Sequence, residues 1–225
     1  MDNKSEVEML LKQHFSAWEH MSKDEHDQLI ASTTFVHYKK GVCIHGGGND
    51  CVGGLIIKSG MLRTYMLSEE GREITLYRLC KGDMCILSAS CILSAITFDV
   101  HIDAEEDSEV LLISPTFLSK LAQTNIYVEC FAYKLTTDRF SDVMWAMQQI
   151  LFMSMDKRLA VFLWDELAKT GGDTIRLTHE QAARYMGSAR EVVTRMLKYF
   201  ASEGVVELSR GGIRVLDKTK LKRLI

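Results

Sequence analysis

From residue 126 to residue 152 the chain holds neither glycine nor proline, and this unbroken stretch separates a turn-rich half from a helix-rich one. It predicts a single helix of roughly 25 residues, about 38 Å long at about 1.5 Å per residue. Tyr133, Thr136, Phe140, Val143, Met147 and Ile150 recur at alternating three- and four-residue steps, the spacing of a heptad-like seam between two helices. A helix buried against its own sheet would carry a similar stripe. The length favours a seam with a second copy, because such a helix outruns one small domain.

The residues on either side differ in rhythm. Between about 33 and 114, the runs LIIKSG, MLRTYML and REITLYRL alternate with Gly41, Gly46-Gly47-Gly48, Gly53-Gly54, Ser59-Gly60, Glu70-Gly71 and Gly82-Asp83. Short β-rich runs with regular turn signals predict an antiparallel sandwich, roll or barrel. VHIDAE and SEVLLI add two strands, and the apolar run from Met84 to Val100 lacks such punctuation. Ahead of the strands, Val7, Leu10, Leu11, His14, Phe15 and Trp18 predict a short amphipathic helix over 5–20. Pro115 follows Ser114 where a first helical turn starts.

The last quarter carries the chemistry. Ser154 suits the N-cap of a helix over roughly 155–169 that stops at Gly171-Gly172. Thr178-His-Glu-Gln181 is a capping box opening a helix through Met186. Gly187 supplies a tight turn, and Ser188-Ala-Arg-Glu191 reads as a second capping box, opening a helix through Ser202. Two capped helices around a glycine turn make a helix-turn-helix. Ala182, Ala183, Met186, Val192, Val193, Met196 and Leu197 form its packing face, and Arg190, Glu191, Thr194, Arg195 and Lys198 share the opposite one.

A helix entering the major groove end-on can read bases with such residues. Arginine bridges guanine O6 and N7, and glutamate accepts from cytosine N4. Arg190, Glu191 and Arg195 are the candidate base contacts; Thr178, Ser188, Thr194 and Lys198 suit phosphates. The alternative is that Glu191 completes the capping box and pairs with Arg195 four residues on. Val205–Leu208 and Ile213–Leu216 flank Ser209-Arg210-Gly211-Gly212, a hairpin whose basic tip offers Arg210 to a phosphate.

Charge follows the same division. The net −3 hides 16 Lys/Arg against 24 Asp/Glu through residue 169, and 11 against 6 from residue 170 on. An acidic body with a basic end is what nucleic-acid binding confined to that end looks like, the alternative being an ordinary basic surface. The N-terminus has no apolar signal core and no stretch reaches membrane-spanning length, so a cytoplasmic address is expected and a membrane is not a partner. Six cysteines without a C-x-x-C read as free thiols there. With no P-loop, G-x-S-x-G or H-E-x-x-H, no enzyme is expected and no metal site is assigned.

THEQAARYMGSAREVVTRMLKYFASEGVVELSRGGIRVLD and KSGMLRTYMLSEEGREITLYRLCKGDM together resemble the Crp/Fnr family of bacterial regulators, over essentially the whole chain. The fold expected is α+β: an N-terminal antiparallel β-roll (cupin- or jelly-roll-like), a long dimerisation helix and a C-terminal winged helix-turn-helix. The corresponding parts are 1–125 for the cyclic-nucleotide-binding-like sensor with its N-terminal helix, 126–153 for the dimerisation helix and 154–225 for the DNA-binding domain. The resemblance implies a homodimer on a near-palindromic operator of double-stranded DNA, with RNA polymerase as a further partner. It also implies base contacts through the R-E-x-x-x-R spacing of Arg190, Glu191 and Arg195. Ala189 departs from the serine that touches phosphate in many members.

The sensor departs further. Members that bind cyclic AMP carry Gly-Glu after the G-D-x-x turn and then an Arg-Ser pair. Here Ile86 and Leu87 follow Gly82-Asp83-Met84-Cys85, and Phe98 and Asp99 align with the Arg-Ser pair. Burying a phosphate without a cationic partner costs several kcal/mol, which argues against cyclic AMP. The first cysteine, Cys43, lies past the N-terminal helix, which argues against an iron–sulfur cluster of the fumarate–nitrate type. Arg72, Cys85, Leu87, Cys91 and Phe98 are the candidate effector-pocket residues. Cys85 and Cys91 leave haem ligation, thiol redox chemistry and plain apolar packing open, and an apolar cavity would take an unidentified small-molecule effector. The competing reading is a stand-alone ligand-binding module that does not bind DNA.

Overall fold

The computed structural model describes residues 3–47, 51–86, 99–210 and 212–225. They build two compact units: the chain up to Leu67 with Leu76–Val143, and Ser68–Thr75 with Met144–Ile225. Among the described residues no helix is long and apolar enough to cross a membrane.

In the first unit, helix α1 (Asn3–His14) buries Val7, Leu10 and Leu11. The helix expected to run to residue 20 stops at His14, because Phe15 leaves helical geometry at φ −106°, ψ 87° and a 3-10 turn, Ser16–His20, follows. That break seats two large rings. Phe15 packs 4.7 Å from Phe131, and Trp18 stacks 3.9 Å from His26. A helix unread in the sequence, α2 (Lys23–Ala31), then opens on a Ser22–Glu25 capping box.

Among the described residues eight strands follow: β1 (Thr33–Tyr38), β2 (Cys43–Gly46), β3 (Gly54–Ser59), β4 (Leu62–Leu67), β5 (Glu73–Leu79), β6 (Met84–Cys85), β7 (His101–Ala104) and β8 (Ser108–Ile113). They form two four-stranded sheets in the orders β1-β8-β3-β6 and β2-β7-β4-β5, paired antiparallel. This is the expected β-roll. Leu55, Ile57, Leu62, Leu79, Ile102 and Val110 fill its interior, each at most 1% exposed. The unpunctuated run from Met84 to Val100 falls largely at 87–98, outside the described residues.

Pro115 occupies the first turn of α3 (Pro115–Thr124) after Ser114, as its sequence position predicts. The glycine- and proline-free stretch is one helix, α4 (Ile126–Phe152). Its Val128 and Ala132 are buried, and Phe131, Leu135 and Val143 pack against the cores of the first unit.

The second unit contains α5 (Met155–Thr170), β9 (Thr174–Ile175), α6 (His179–Met186), α7 (Arg190–Ser202), β10 (Val206–Ser209), β11 (Gly212–Val215) and α8 (Lys218–Arg223). Ser154 is the N-cap of α5, and Gly171 closes it in the left-handed conformation. One core unites these elements through Leu159, Leu163, Ala182, Val193, Leu197, Phe200, Ile213 and Leu221. The strands order as β10-β11-β9. Strand β9 and helix α8 are additions to the sequence reading.

Candidate nucleic-acid interface

The geometry of α6 and α7 starts from its caps. The backbone N–H of Thr178 donates to Gln181 Oε1 at 2.9 Å, and Gln181 N–H donates to Thr178 Oγ1 at 3.1 Å. The predicted capping box is therefore complete. At the other end of α6, Gly187 sits at φ +59°, and its N–H donates to the Arg184 carbonyl. The Ser188 N–H reaches back to the Ala183 carbonyl at 2.9 Å. This pair of bonds is a Schellman closure, with glycine where positive φ is required. The Arg158 guanidinium donates to the Met186 carbonyl, satisfying another helix-end acceptor.

The second capping box does not form. The N-cap of α7 is Ala189, without a side-chain cap bond. Ser188 is spent on closing α6, so α7 begins one residue later than a Ser188 cap requires. The Ser188 hydroxyl instead points to Met155 Sδ at 3.7 Å.

Helix α7 has two separate faces. Val193, Leu197 and Phe200 are buried in the core with Ala182, Ala183 and Met186 of α6. Val192 and Met196 are half-buried. Arg190, Glu191, Arg195 and Lys198 are exposed on the opposite face, as the i, i+4 spacing predicts. Glu191 and Arg195 form no ion pair with each other among the described residues. Arg190 lies 3.6 Å from Glu180 of α6 instead. Thr194 is half-buried, and its hydroxyl is 3.1 Å from Nδ1 of His179. Burial, then the neighbouring Arg190 and Lys198 charges, holds His179 below the ordinary histidine range. The sequence reading passed over His179, although its place one residue beyond the Thr178 cap put it at the first turn of the helix-turn-helix.

The wing pairs Ser209 with Gly212, which leaves Arg210 exposed at the tip. The residues expected at the helix seam divide in two. Tyr133, Phe140, Met147 and Ile150 are exposed, with Phe140 at 62%. Thr136 is half-buried, its hydroxyl donating to the Ala132 carbonyl, and Val143 packs on the roll. Met144, Trp145, Leu151 and Phe152 add exposed apolar surface along α4.

Of the candidate effector residues, Arg72 is exposed on the β4–β5 turn and Cys85 is buried in the roll. Leu87, Cys91 and Phe98 lie outside the described residues. Two guanidiniums are shielded in the first unit. Arg63 is fully buried, 3.6 Å from Glu105 and 4.1 Å above the Tyr65 ring. Arg139 lies 2.8 Å from Asp142 and 3.8 Å from Asp83, over the Tyr77 ring. Each is matched by carboxylates, so neither offers an uncompensated charge to the phosphate of a cyclic nucleotide.

A β-roll, a long helix with an apolar face and a winged helix-turn-helix with an exposed, largely basic face define a DNA-binding transcriptional regulator. The comparisons agree on the class. A cyclic nucleotide-binding domain model matches residues 35–125, and a Crp-like helix-turn-helix domain model matches residues 157–224. A solved structure from Eubacterium rectale, described as a transcriptional regulator of the Crp/Fnr family, is 45% identical with a TM-score of 0.90. That match covers 94% of this chain and 98% of the other. The cyclic AMP receptor protein of Thermus thermophilus is 25% identical over 170 residues, 75% of this chain and 77% of that protein. The anaerobic regulatory protein of Bacillus subtilis is 24% identical over 205 residues, 88% and 86% of the two chains. The chain belongs to the Crp/Fnr family of transcriptional regulators.

Proposed function

We propose that the protein acts in the cytoplasm as a homodimer on a near-palindromic operator and regulates transcription by RNA polymerase under control of an effector other than cyclic AMP. The observation that carries this reading is the division of α7 into a buried packing face and an exposed basic one. Arg190, Glu191 and Arg195 read base edges in the major groove. Thr178, Ser188, Thr194, Lys198 and Arg210 touch phosphates and set the register. The apolar face of α4 from Tyr133 to Ile150 pairs with the same face of a second copy.

The matched charges of Arg63 and Arg139 support an effector that is not a cyclic nucleotide. It acts by shifting the population between two dimer geometries. Only geometries that place the recognition helices about 34 Å apart engage successive major grooves.

The test is a selection of bound genomic fragments with purified wild-type protein and the Arg190→Ala/Arg195→Ala variant, reduced and oxidised, at one fixed salt concentration. The expected result is a near-palindrome with G·C pairs in both half-sites, lost in the folded double variant. Specific binding retained by the variant removes Arg190 and Arg195 from the reading face. A motif that appears in only one redox condition assigns the effector role to thiol chemistry.

A further inference from the structure

His179 is the one imidazole on the face of α6 and α7 among the described residues, half-buried between a hydroxyl and two cations. It occupies the first helical position after Thr178, where the free N–H groups of α6 begin. Its Nδ1 is 3.1 Å from the Thr194 hydroxyl on α7. The charged groups that face it are Arg190 and Lys198 on α7. On its own helix the neighbouring Glu180 is engaged by Arg190. In the free protein partial burial, and then the two nearby cations, favour the neutral ring.

We propose that His179 is a phosphate-binding residue of this interface and that it binds DNA as the imidazolium, so that association takes up a proton from solvent. The inference rests on the reading of the α6–α7 face as the DNA-binding surface. A phosphate arriving between Thr178 and Thr194 reverses the local field. The oxyanion offsets the Arg190 and Lys198 charges and favours the charged ring, whose two N–H groups both donate. One then serves Thr194 and the other the phosphate. The direction follows from linkage. A group more basic in the complex than in the free protein strengthens binding below its free value, and that gain is lost as pH rises through its bound value. Each unit of difference between the two values is worth about tenfold in affinity.

The experiment measures affinity for a rhodamine-labelled, mixed-sequence duplex of about 40 base pairs, since phosphate contacts form without sequence preference. Anisotropy titrations run from about pH 5.5 to pH 8 at two salt concentrations, with wild type and His179→Gln. Glutamine keeps a hydrogen bond to Thr194 and does not titrate, so a merely positioning role leaves the two pH profiles alike. The wild type is expected to bind about tenfold more tightly at the acid end, with the steeper salt dependence there, and His179→Gln to lack that increment. The His179 ring resonances of the wild type, followed by NMR with and without the duplex, are expected to titrate at higher pH in the complex.

Matching pH profiles for the two proteins, or an unshifted ring titration in a complex that does form, overturn the role of His179 and leave the interface standing. No duplex binding at any pH overturns the interface as well. If His179→Gln does not fold, the wild-type ring titration decides the question alone.

Discussion

Thr178 and Ser188 look alike in the sequence, each a small hydroxyl three residues ahead of an acid or amide that could complete a capping box. The structure separates them. Thr178 trades two bonds with Gln181, whereas Ser188 gives its N–H to the Ala183 carbonyl and its hydroxyl to Met155. Losing a working N-cap costs about 1 kcal/mol. Thr178→Ala is therefore expected to destabilise the C-terminal unit by about that much in urea unfolding, and Ser188→Ala by less than about 0.5 kcal/mol. Equal losses would restore Ser188 as a cap. The pattern misled at Ser188 because a glycine closure consumes the residue after it, and a residue committed to ending one helix cannot start the next.

Among the elements, α4 was the most legible and β9 the least. A long run without Gly or Pro leaves few alternatives to helix, and Ile126–Phe152 coincides with the predicted stretch. Five strands of the roll, β3, β4, β5, β7 and β8, were readable as β-rich runs between turn residues, whereas β1, β2 and β6 were not read. Strand β9 is two residues long and exists through its pairing with β11, Ile213 opposite Ile175 and Arg214 opposite Thr174. No local periodicity announces a pairing partner nearly forty positions away. Helix α8 likewise spans only six residues and is anchored by Leu221, too short for a hydrophobic repeat. The faces of α4 were half legible: spacing found the stripe, but only the packing showed that Val143 turns toward the roll while Phe140 faces outward. A charge at that outward position should therefore spare the fold and break pairing. Phe140→Asp is expected to halve the mass measured by light scattering at micromolar concentration, with unchanged helical circular dichroism. An unchanged mass would move the seam elsewhere.

At the scale of the whole molecule, the two units have separate cores. The core of the second unit draws on residues from α5 to α8 and on the wing strands, all beyond residue 154. A fragment of residues 154–225 is accordingly expected to give dispersed amide resonances and a cooperative thermal transition. A collapsed spectrum would mean that Ser68–Thr75, which groups with this unit, is needed to complete it. Charge divides along the chain as the cores do, with the basic excess confined to the last quarter. That much was readable from composition. The identity of any effector was not, because no local motif in the chain names a small-molecule ligand.

The division of α7 into two faces also bears on how such a chain can diverge. Val193, Leu197 and Phe200 hold the helix in its core, while Arg190, Glu191 and Arg195 lie exposed outside it, Arg190 pairing only at the surface with Glu180. Exposed substitutions of this kind usually change stability by no more than about 0.5 kcal/mol. On the proposed function, one copy could therefore drift to a new operator after a gene duplication through three solvent-facing codons without passing through an unfolded ancestor. Anchorage would be the heritable part of the domain, and the DNA sequence it recognises the replaceable one.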